Sequence, residues 1–340
     1  MADPLLPRRG LLRLGALSGL LLVAGCRRQR PLLLATRGDL PALWTRGLPR
    51  DWQVRLLEDP AAVAGAAAGD PPPALLQLGD GWAAELPVGR LQPIGTPELI
   101  GRLDASAAPV SRLFGPPGRP GLAFPWSVSP WVLALRNRSD LLPRAAGGWD
   151  VLLDPSLRGR VVLPSSPRVS IALMGADGQR LARLRRQALA HDDRDALNLL
   201  LSGEAEAAVV PRHRLVPLLR RDPRLQGVLP ASGSPLAWNL LLRPAGALPE
   251  PPLDWLGEIL EAPLLARLLA AGWVPPLPRE PLQRALAGFP EALARLLLPP
   301  QAVLARCRSL PPLAPTERER LQALWDGAAP GRPGTKAKEP

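Results

Sequence analysis

The chain has no tyrosine and only two cysteines, two histidines and two methionines among its 340 residues. The two cysteines are too few for a disulfide framework. Neither His191 nor His213 has a cysteine or a carboxylate at zinc-ligand spacing, which argues against a structural metal. The uncharged apolar run at residues 14–25 is far shorter than the ~20 residues that a membrane-spanning helix needs.

Several catalytic motifs are also missing. The sequence contains no G-x-S-x-G element, no P-loop and no G-x-G-x-x-G fingerprint, so hydrolase, nucleotide triphosphatase and dinucleotide-binding functions have no motif. The acidic stretch HDDRD, residues 191–195, favours the capped start of a helix over a metal or acid–base site. We therefore expect no enzyme activity, no cofactor and no metal.

The formal net charge of +12 raises the question of a nucleic-acid partner. Basic residues are spread along the chain, never more than two in a row, and nearly all are arginine because Lys336 and Lys338 are the only lysines. This skew is typical of a GC-rich genome. The charge therefore predicts no nucleic-acid binding, although an electropositive surface favours anionic lipids or solutes.

The N-terminus has the order of features found in export signals. Arg8, Arg9 and Arg13 precede the apolar run, and small residues end it just before Cys26. LVAGC, residues 22–26, resembles the bacterial lipobox, which implies cleavage after residue 25 and lipidation of Cys26. RRGLLR is similar to a twin-arginine signal, with the general secretory route left open. The alternative, a buried N-terminal helix with a core cysteine, leaves this order unexplained.

The rest of the chain alternates short apolar runs with helical patterns, which predicts an α/β protein. We expect an aromatic loop at 124–131 that leads into a strand at 132–135, and a helix at 253–276 that is interrupted at Pro263 and stopped by Gly272. The first three strands are predicted at 31–38, 52–59 and 72–80.

Four blocks in series carry a family resemblance. WDVLLDPSLRGRVVLPSSPR (149–168), LSGEAEAAVV (201–210), GSPLAWNLLLRP (233–244) and APLLARLLAAGWVPP (262–276) resemble, in order and separation, the solute-binding proteins of polyamine-type (spermidine/putrescine) ABC importers. The resemblance covers residues 32–325 in outline and is weakest before 121 and after 276.

The resemblance implies a two-lobed type II periplasmic binding protein fold, with a discontinuous first lobe and an interlobe cleft that closes on a solute. The first lobe is expected at 32–131 plus 244–326 and the second at 132–243. Residues 1–25 form the predicted signal peptide, and residues 327–340 form a predicted disordered tail.

The family's polyamine site needs carboxylates and aromatic faces. At its acidic positions this chain has Ser165, Ser166, Val169 and Asn239, so we expect an altered ligand, a neutral or anionic small organic solute. In the alternative, the tryptophans pack between the lobes and Arg37 is solvated. The residues implied to bind the ligand are Arg37, Trp126, Ser127, Ser129, Trp131, Ser166, Arg168, Trp238 and Asn239.

The predicted function is that of a monomeric periplasmic lipoprotein, anchored to the membrane through Cys26, that delivers its solute to an inner-membrane ABC permease. One rival is a degenerate lobe pair kept as an envelope scaffold or sensor, which the missing carboxylates suggest. A second rival is a tethered enzyme on a related two-lobed fold. That rival needs a nucleophile–base pair, for which the sequence offers no convincing candidate.

Overall fold

The computed structural model describes residues 30–95 and 97–330. The signal peptide, Cys26 and most of the predicted disordered tail lie outside these residues. The strands are β1 (Leu32–Thr36), β2 (Gln53–Leu57), β3 (Leu75–Gly79), β4 (Leu91–Gln92), β5 (Ala123–Arg136), β6 (Val161–Leu163), β7 (Ala188–His191), β8 (Ala207–Pro211), β9 (Leu225–Val228), β10 (Pro235–Pro244) and β11 (Arg308–Ser309). The helices are α1 (Ala42–Thr45), α2 (Pro60–Gly65), α3 (Asp80–Ala83), α4 (Pro97–Gly101), α5 (Ala107–Ser111), α6 (Leu142–Gly147), α7 (Pro167–Met174), α8 (Gly178–Gln187), α9 (Ala196–Ser202), α10 (Arg212–Leu219), α11 (Leu253–Glu258), α12 (Leu264–Ala270), α13 (Arg279–Ala285), α14 (Glu291–Leu297), α15 (Gln301–Leu304) and α16 (Pro315–Gly327).

The sheet has the order β2-β1-β3-β10-β5-β8-β6-β7. β1 pairs in parallel with β2 and β3, and β6 pairs in parallel with β7 and β8. Strands β1, β3, β6 and β8 are short apolar runs buried over most of their length, as expected for parallel strands covered on both faces. The α/β prediction and the first three strands are confirmed.

Strands β5 and β10 connect the first half of the sheet, which contains β1, β2 and β3, to the second half, which contains β6, β7 and β8. From Ala123 to Pro130, β5 pairs with β10, and from Trp131 onward it pairs with β8 and β9. The predicted aromatic loop at 124–131 is therefore wrong, because these residues are the first half of one continuous strand. Two prolines, Pro125 and Pro130, suggested a loop, but the strand accommodates both, and a register shift lies opposite this stretch between Asn239 and Leu240.

The apolar interior forms two clusters. The larger is centred on β1, β3 and β10 and continues through α12 and α14. The smaller lies on the far side of β5 and includes Trp131, Trp149 and Trp325. Trp325 belongs to α16, the last helix, which packs against α7 and α8. The assignment of 244–326 to the first lobe remains a prediction, and α16 touches the second half of the sheet.

The interruption predicted at Pro263 is confirmed, since α11 ends at Glu258 and α12 begins at Leu264. Gly272 follows α12 with φ +91°, as a helix-terminating glycine does. A Cβ at Gly272 would lie 2.8 Å from the carbonyl oxygen of His213, so this glycine also permits a close approach of α10.

In the described part of the chain, no helix combines the length and the apolar character needed to cross a membrane. Within the same residues, His, Cys, Asp and Glu side chains form no group of three that could hold a metal ion. Cys307 is half-buried and unpaired by any disulfide, and burial raises the pKa of its thiol.

Candidate functional site

A cavity of about 500 Å³ lies between the two halves of the sheet and the last helix. The loop and helix after β3 supply one wall, the N-terminus of α7 the second, and α16 the third. Its lining residues are Gly81, Trp82, Glu85, Ser165, Ser166, Pro167, Arg168, Ile171, Asp193, Leu313, Arg318, Leu321 and Gln322. We call it the cleft cavity.

Two of the predicted ligand residues, Ser166 and Arg168, line the cleft cavity. They lie there because β6 ends at Leu163 and α7 begins at Pro167, with Ser166 at the N-cap position. The carboxyl ends of β3 and β6 both open towards the cavity, the location where open α/β sheets bind ligands.

The charges of the cleft cavity are unequally neutralised. Glu85 forms an ion pair of 2.7 Å with Arg318. Asp193 accepts hydrogen bonds from the hydroxyl and the backbone N–H of Ser165. Arg168 donates to the carbonyl oxygen of Pro311 and, among the described residues, forms no ion pair. The Arg168 guanidinium therefore has no ion-pair partner among the described residues, although the charges of Asp80 and Glu85 act on it, and it suits an anionic group on a solute.

The predicted residues Trp126, Ser127 and Ser129 are buried in the strand that connects the lobes. The Trp126 side chain is fully buried, as is that of Ser127, whose hydroxyl has no partner in the described part of the chain. The Ser129 hydroxyl accepts a hydrogen bond of 3.0 Å from the backbone N–H of His213. None of the three lines the cleft cavity.

Four further predicted residues also have partners within the protein. The Trp238 indole donates to the Ser309 hydroxyl at 2.9 Å, and Asn239 accepts from the Gln77 amide at 3.2 Å. Trp131 packs in the smaller apolar cluster. Arg37 is exposed and pairs with Glu58. The role of these residues in ligand binding stays a prediction.

Trp126 is the middle member of a column of five aromatic rings. Trp255 stacks on Trp44 with ring centroids 4.2 Å apart, and Trp44 contacts Trp126 at 5.2 Å. Trp126 contacts Trp273 at 5.0 Å, and Trp273 stacks on His213 at 4.1 Å. The column connects the helices behind β1 to α10 and packs as core.

Burial shifts the pKa values of two carboxyl groups beside the cleft. Burial raises the pKa of Asp80 to about 6, against hydrogen bonds from the backbone N–H groups of Trp238, Asp80 and Gly81 and the charge of Arg168. Burial likewise raises the pKa of Asp39 to about 6, opposed by Arg214 and reinforced by Asp193. Both groups follow a strand of the first half of the sheet, and both face cations of the second half.

We expect Asp80→Asn to increase stability above pH 6. The folded protein holds a proton on Asp80 more tightly than the unfolded chain does. The stability that this group contributes to the fold is therefore lost as the pH rises from about 4 to about 6. Asparagine stays neutral and still accepts from the Trp238 N–H. The measurement is urea unfolding at pH 4 to 7.5, compared with the exposed control Asp51→Asn. A variant that is less stable than wild type at pH 7 contradicts the assignment.

Sequence reasoning missed Trp82, Glu85 and Arg318. Trp82 is 44% exposed at the cavity wall, unlike the buried tryptophans that the sequence favoured. Its position after the strand at 75–79, at the same sheet edge as Arg37, could have indicated it. No signal pointed to Arg318, because its place in the cavity depends on the return of α16 to the second half of the sheet.

The fold is that of the two-lobed type II periplasmic binding proteins, as the comparisons with solved structures show. The spermidine/putrescine substrate-binding protein of Streptococcus pneumoniae, solved with calcium and HEPES, matches with a TM-score of 0.69 at 11% identity, over 88% of this chain and 98% of that chain. The expected likeness to polyamine-type proteins is thus confirmed for the fold.

Two other solved structures share this fold. A lipoprotein of Treponema pallidum matches with a TM-score of 0.61 at 13% identity, over 88% of this chain and 99% of that chain. A periplasmic binding protein of Actinobacillus pleuropneumoniae with bound fructose-6-phosphate matches with a TM-score of 0.57 at 13% identity, over 87% of this chain and 97% of that chain. The neighbour from Streptococcus pneumoniae is an ABC transporter substrate-binding protein, and the one from Actinobacillus pleuropneumoniae is a periplasmic binding protein. No family model matches the sequence, and no curated protein matches it.

Proposed function

We propose that this chain is the periplasmic solute-binding lipoprotein of an ABC importer and that its cleft cavity binds a small organic solute with an anionic group. The fold supports the transport role. The observation that carries the ligand class is Arg168, a guanidinium in an interlobe cavity whose two lining carboxylates are already engaged by Arg318 and Ser165.

The lining residues divide into polar and apolar parts. The Arg168 fork can hold a carboxylate or phosphate with two hydrogen bonds, and the Ser166 hydroxyl can donate a further one. Trp82 offers an indole face to the uncharged part of the solute. The neighbour from Actinobacillus pleuropneumoniae holds a sugar phosphate within the same fold, so the fold is compatible with an anionic ligand.

Transport would then require the two lobes to close on the solute and the closed form to dock on the permease. The cavity is bounded by both halves of the sheet, and β5 and β10 cross between them, so a hinge at these strands changes the width of the cavity. The closed, loaded form is the one that an inner-membrane permease would recognise. No covalent step is required of any residue.

The test is thermal unfolding of residues 27–340 at low salt against organic phosphates, carboxylates, amino acids and polyamines. A solute at ~100 times its dissociation constant adds ~2.7 kcal/mol of stability. We expect this shift from an anionic solute. A shift with polyamines alone overturns the ligand class, and no shift across the panel favours the scaffold or sensor.

The export prediction has a separate test. Cys26→Ala removes the thiol that the lipobox resemblance assigns to lipidation, so we expect the chain to leave the membrane fraction. Mass spectrometry of the wild-type chain is expected to find an acylated Cys26 at its N-terminus. Cys307→Ala, which leaves Cys26 intact, is the control and is expected to stay in the membrane fraction. Soluble wild-type protein that begins at an unmodified Met1 would refute the prediction.

A further inference from the structure

A second concave surface lies away from the cleft cavity and shares no lining residue with it. It consists of two cavities, of about 460 and about 530 Å³, that share Pro217 and Ala271 and so form one groove. Five arginines line it: Arg46, Arg214, Arg220, Arg221 and Arg267. We call it the arginine groove.

The lining of the arginine groove carries no acidic side chain, although the charge of Asp39, outside that lining, interacts with Arg214. None of its lining residues is an aspartate or a glutamate. Arg46, Arg220, Arg221 and Arg267 are exposed, and none of them forms an ion pair with any other described residue. Arg214 donates to backbone carbonyl oxygens of residues 193 and 194. Guanidinium groups gathered in one concavity repel each other, and a multivalent anion removes that repulsion.

Both halves of the molecule contribute arginines. Arg46 follows α1 and Arg267 lies in α12, on the side of β1 and the larger apolar cluster. Arg214 lies in α10, and Arg220 and Arg221 follow its last residue. An anion in the groove would therefore contact both halves at once.

An independent observation at the same groove concerns His213. Its side chain is buried, at 6% exposure, and lines the groove while stacked on Trp273. Neither ring nitrogen has a hydrogen-bond partner in the part of the chain that the structure describes. Burial lowers the pKa of His213 to about 3, so the imidazole stays neutral and has one buried donor and one buried acceptor without a partner among the described residues.

We infer that the arginine groove is a second binding site, specific for a multivalent phosphate-type anion. The planar fork of arginine binds phosphate oxygens in pairs, and five arginines that line one groove favour an anion with more than one charge. The anion can be a soluble polyphosphate or the headgroup of an anionic phospholipid, since both present the same oxygens. This inference does not depend on the proposed solute in the cleft.

The test is isothermal titration of the full chain, purified in nonionic detergent, with sodium tripolyphosphate and separately with bis(glycerophospho)glycerol, the soluble headgroup of cardiolipin, which carries two phosphodiester groups. Preference for tripolyphosphate indicates a soluble anion, and preference for bis(glycerophospho)glycerol indicates a lipid source; either supports the site. The combined variant Arg220→Gln, Arg221→Gln and Arg267→Gln is expected to weaken binding at least tenfold. The matched control replaces Arg158, Arg183 and Arg186, three exposed arginines with no ion pair, by glutamine.

The control should change the affinity less than twofold, and the thermal midpoints of both triple variants should match wild type because all six side chains are exposed. The triple groove variant leaves Arg168 intact, so the tripolyphosphate binding that it removes is separate from any binding in the cleft. Equal weakening by the two triple variants would show that only net charge matters. That result, or no heat from either probe at millimolar concentration and low salt, would overturn the site.

Discussion

Arg212→Met is expected to lower the free energy of unfolding by about 3 kcal/mol or more. Arg212 is 2% exposed and donates to three backbone carbonyl oxygens, those of Leu296, Leu297 and Val128, at 3.3, 2.8 and 2.8 Å. No carboxylate pairs with it in residues 30–95 and 97–330, and burial lowers the pKa of its guanidinium to about 9, so it remains charged at neutral pH. Methionine fills much of the space but removes the donor from three backbone carbonyl oxygens.

The measurement is urea unfolding at pH 7 with Arg279→Met as the matched control. Arg279 donates to one carbonyl oxygen, that of Pro299 at 2.8 Å, and is half-buried. Its replacement should cost about 1 kcal/mol. Equal losses of stability in the two variants would show that the hydrogen bonds from Arg212 do not stabilise the packing of α10 against β5 and α14.

Trp126→Ala is expected to cost about 3 to 5 kcal/mol, the usual range for a buried tryptophan. The side chain is fully buried and contacts both Trp44 and Trp273, so the truncation opens a cavity in the middle of the aromatic column. Because the ring does not line the cleft cavity, the fraction that stays folded should bind its solute with wild-type affinity.

Two controls separate packing from ligand contact at Trp126. The indole nitrogen has no hydrogen-bond partner among the described residues, so Trp126→Phe should cost far less than the alanine variant. Trp82→Ala, at the exposed wall of the cleft cavity, should weaken solute binding with little change in stability. A Trp126→Ala protein that keeps its stability but loses solute affinity would reverse these roles.

The fold could be predicted from the sequence because its parallel strands are continuous apolar runs. LLLAT in β1 and AAVVP in β8 are buried over most of their length and bounded by turn residues, which leaves few alternatives. The lobe arrangement came from four blocks in series rather than from periodicity. The continuous β5 was missed because Pro125 and Pro130 normally mark loops, yet here they occur in a strand with an irregular register.

The site was harder to predict because tryptophans in a core and tryptophans in a pocket look alike in sequence. Trp126 is buried against other aromatic rings, and Trp238 is buried with a hydrogen bond to Ser309. Trp82, which was not among the predicted residues, is exposed at the cavity. Ser166 and Arg168 were predicted from the family resemblance, and they line the cavity because they follow the end of β6 at the sheet edge where ligands bind. The contribution of α16 depends on a long-range return of the chain that no local pattern encodes.

The central claim is that Arg168 binds the anionic group of a solute in the cleft cavity. The most direct measurement is isothermal titration of wild type and Arg168→Gln with the solute that stabilises the wild-type chain most, with the exposed Arg186→Gln as control. A hydrogen bond to a charged group contributes about 1.5 to 3 kcal/mol, so Arg168→Gln should weaken binding roughly 10- to 100-fold. Equal affinities for wild type and Arg168→Gln would contradict the account.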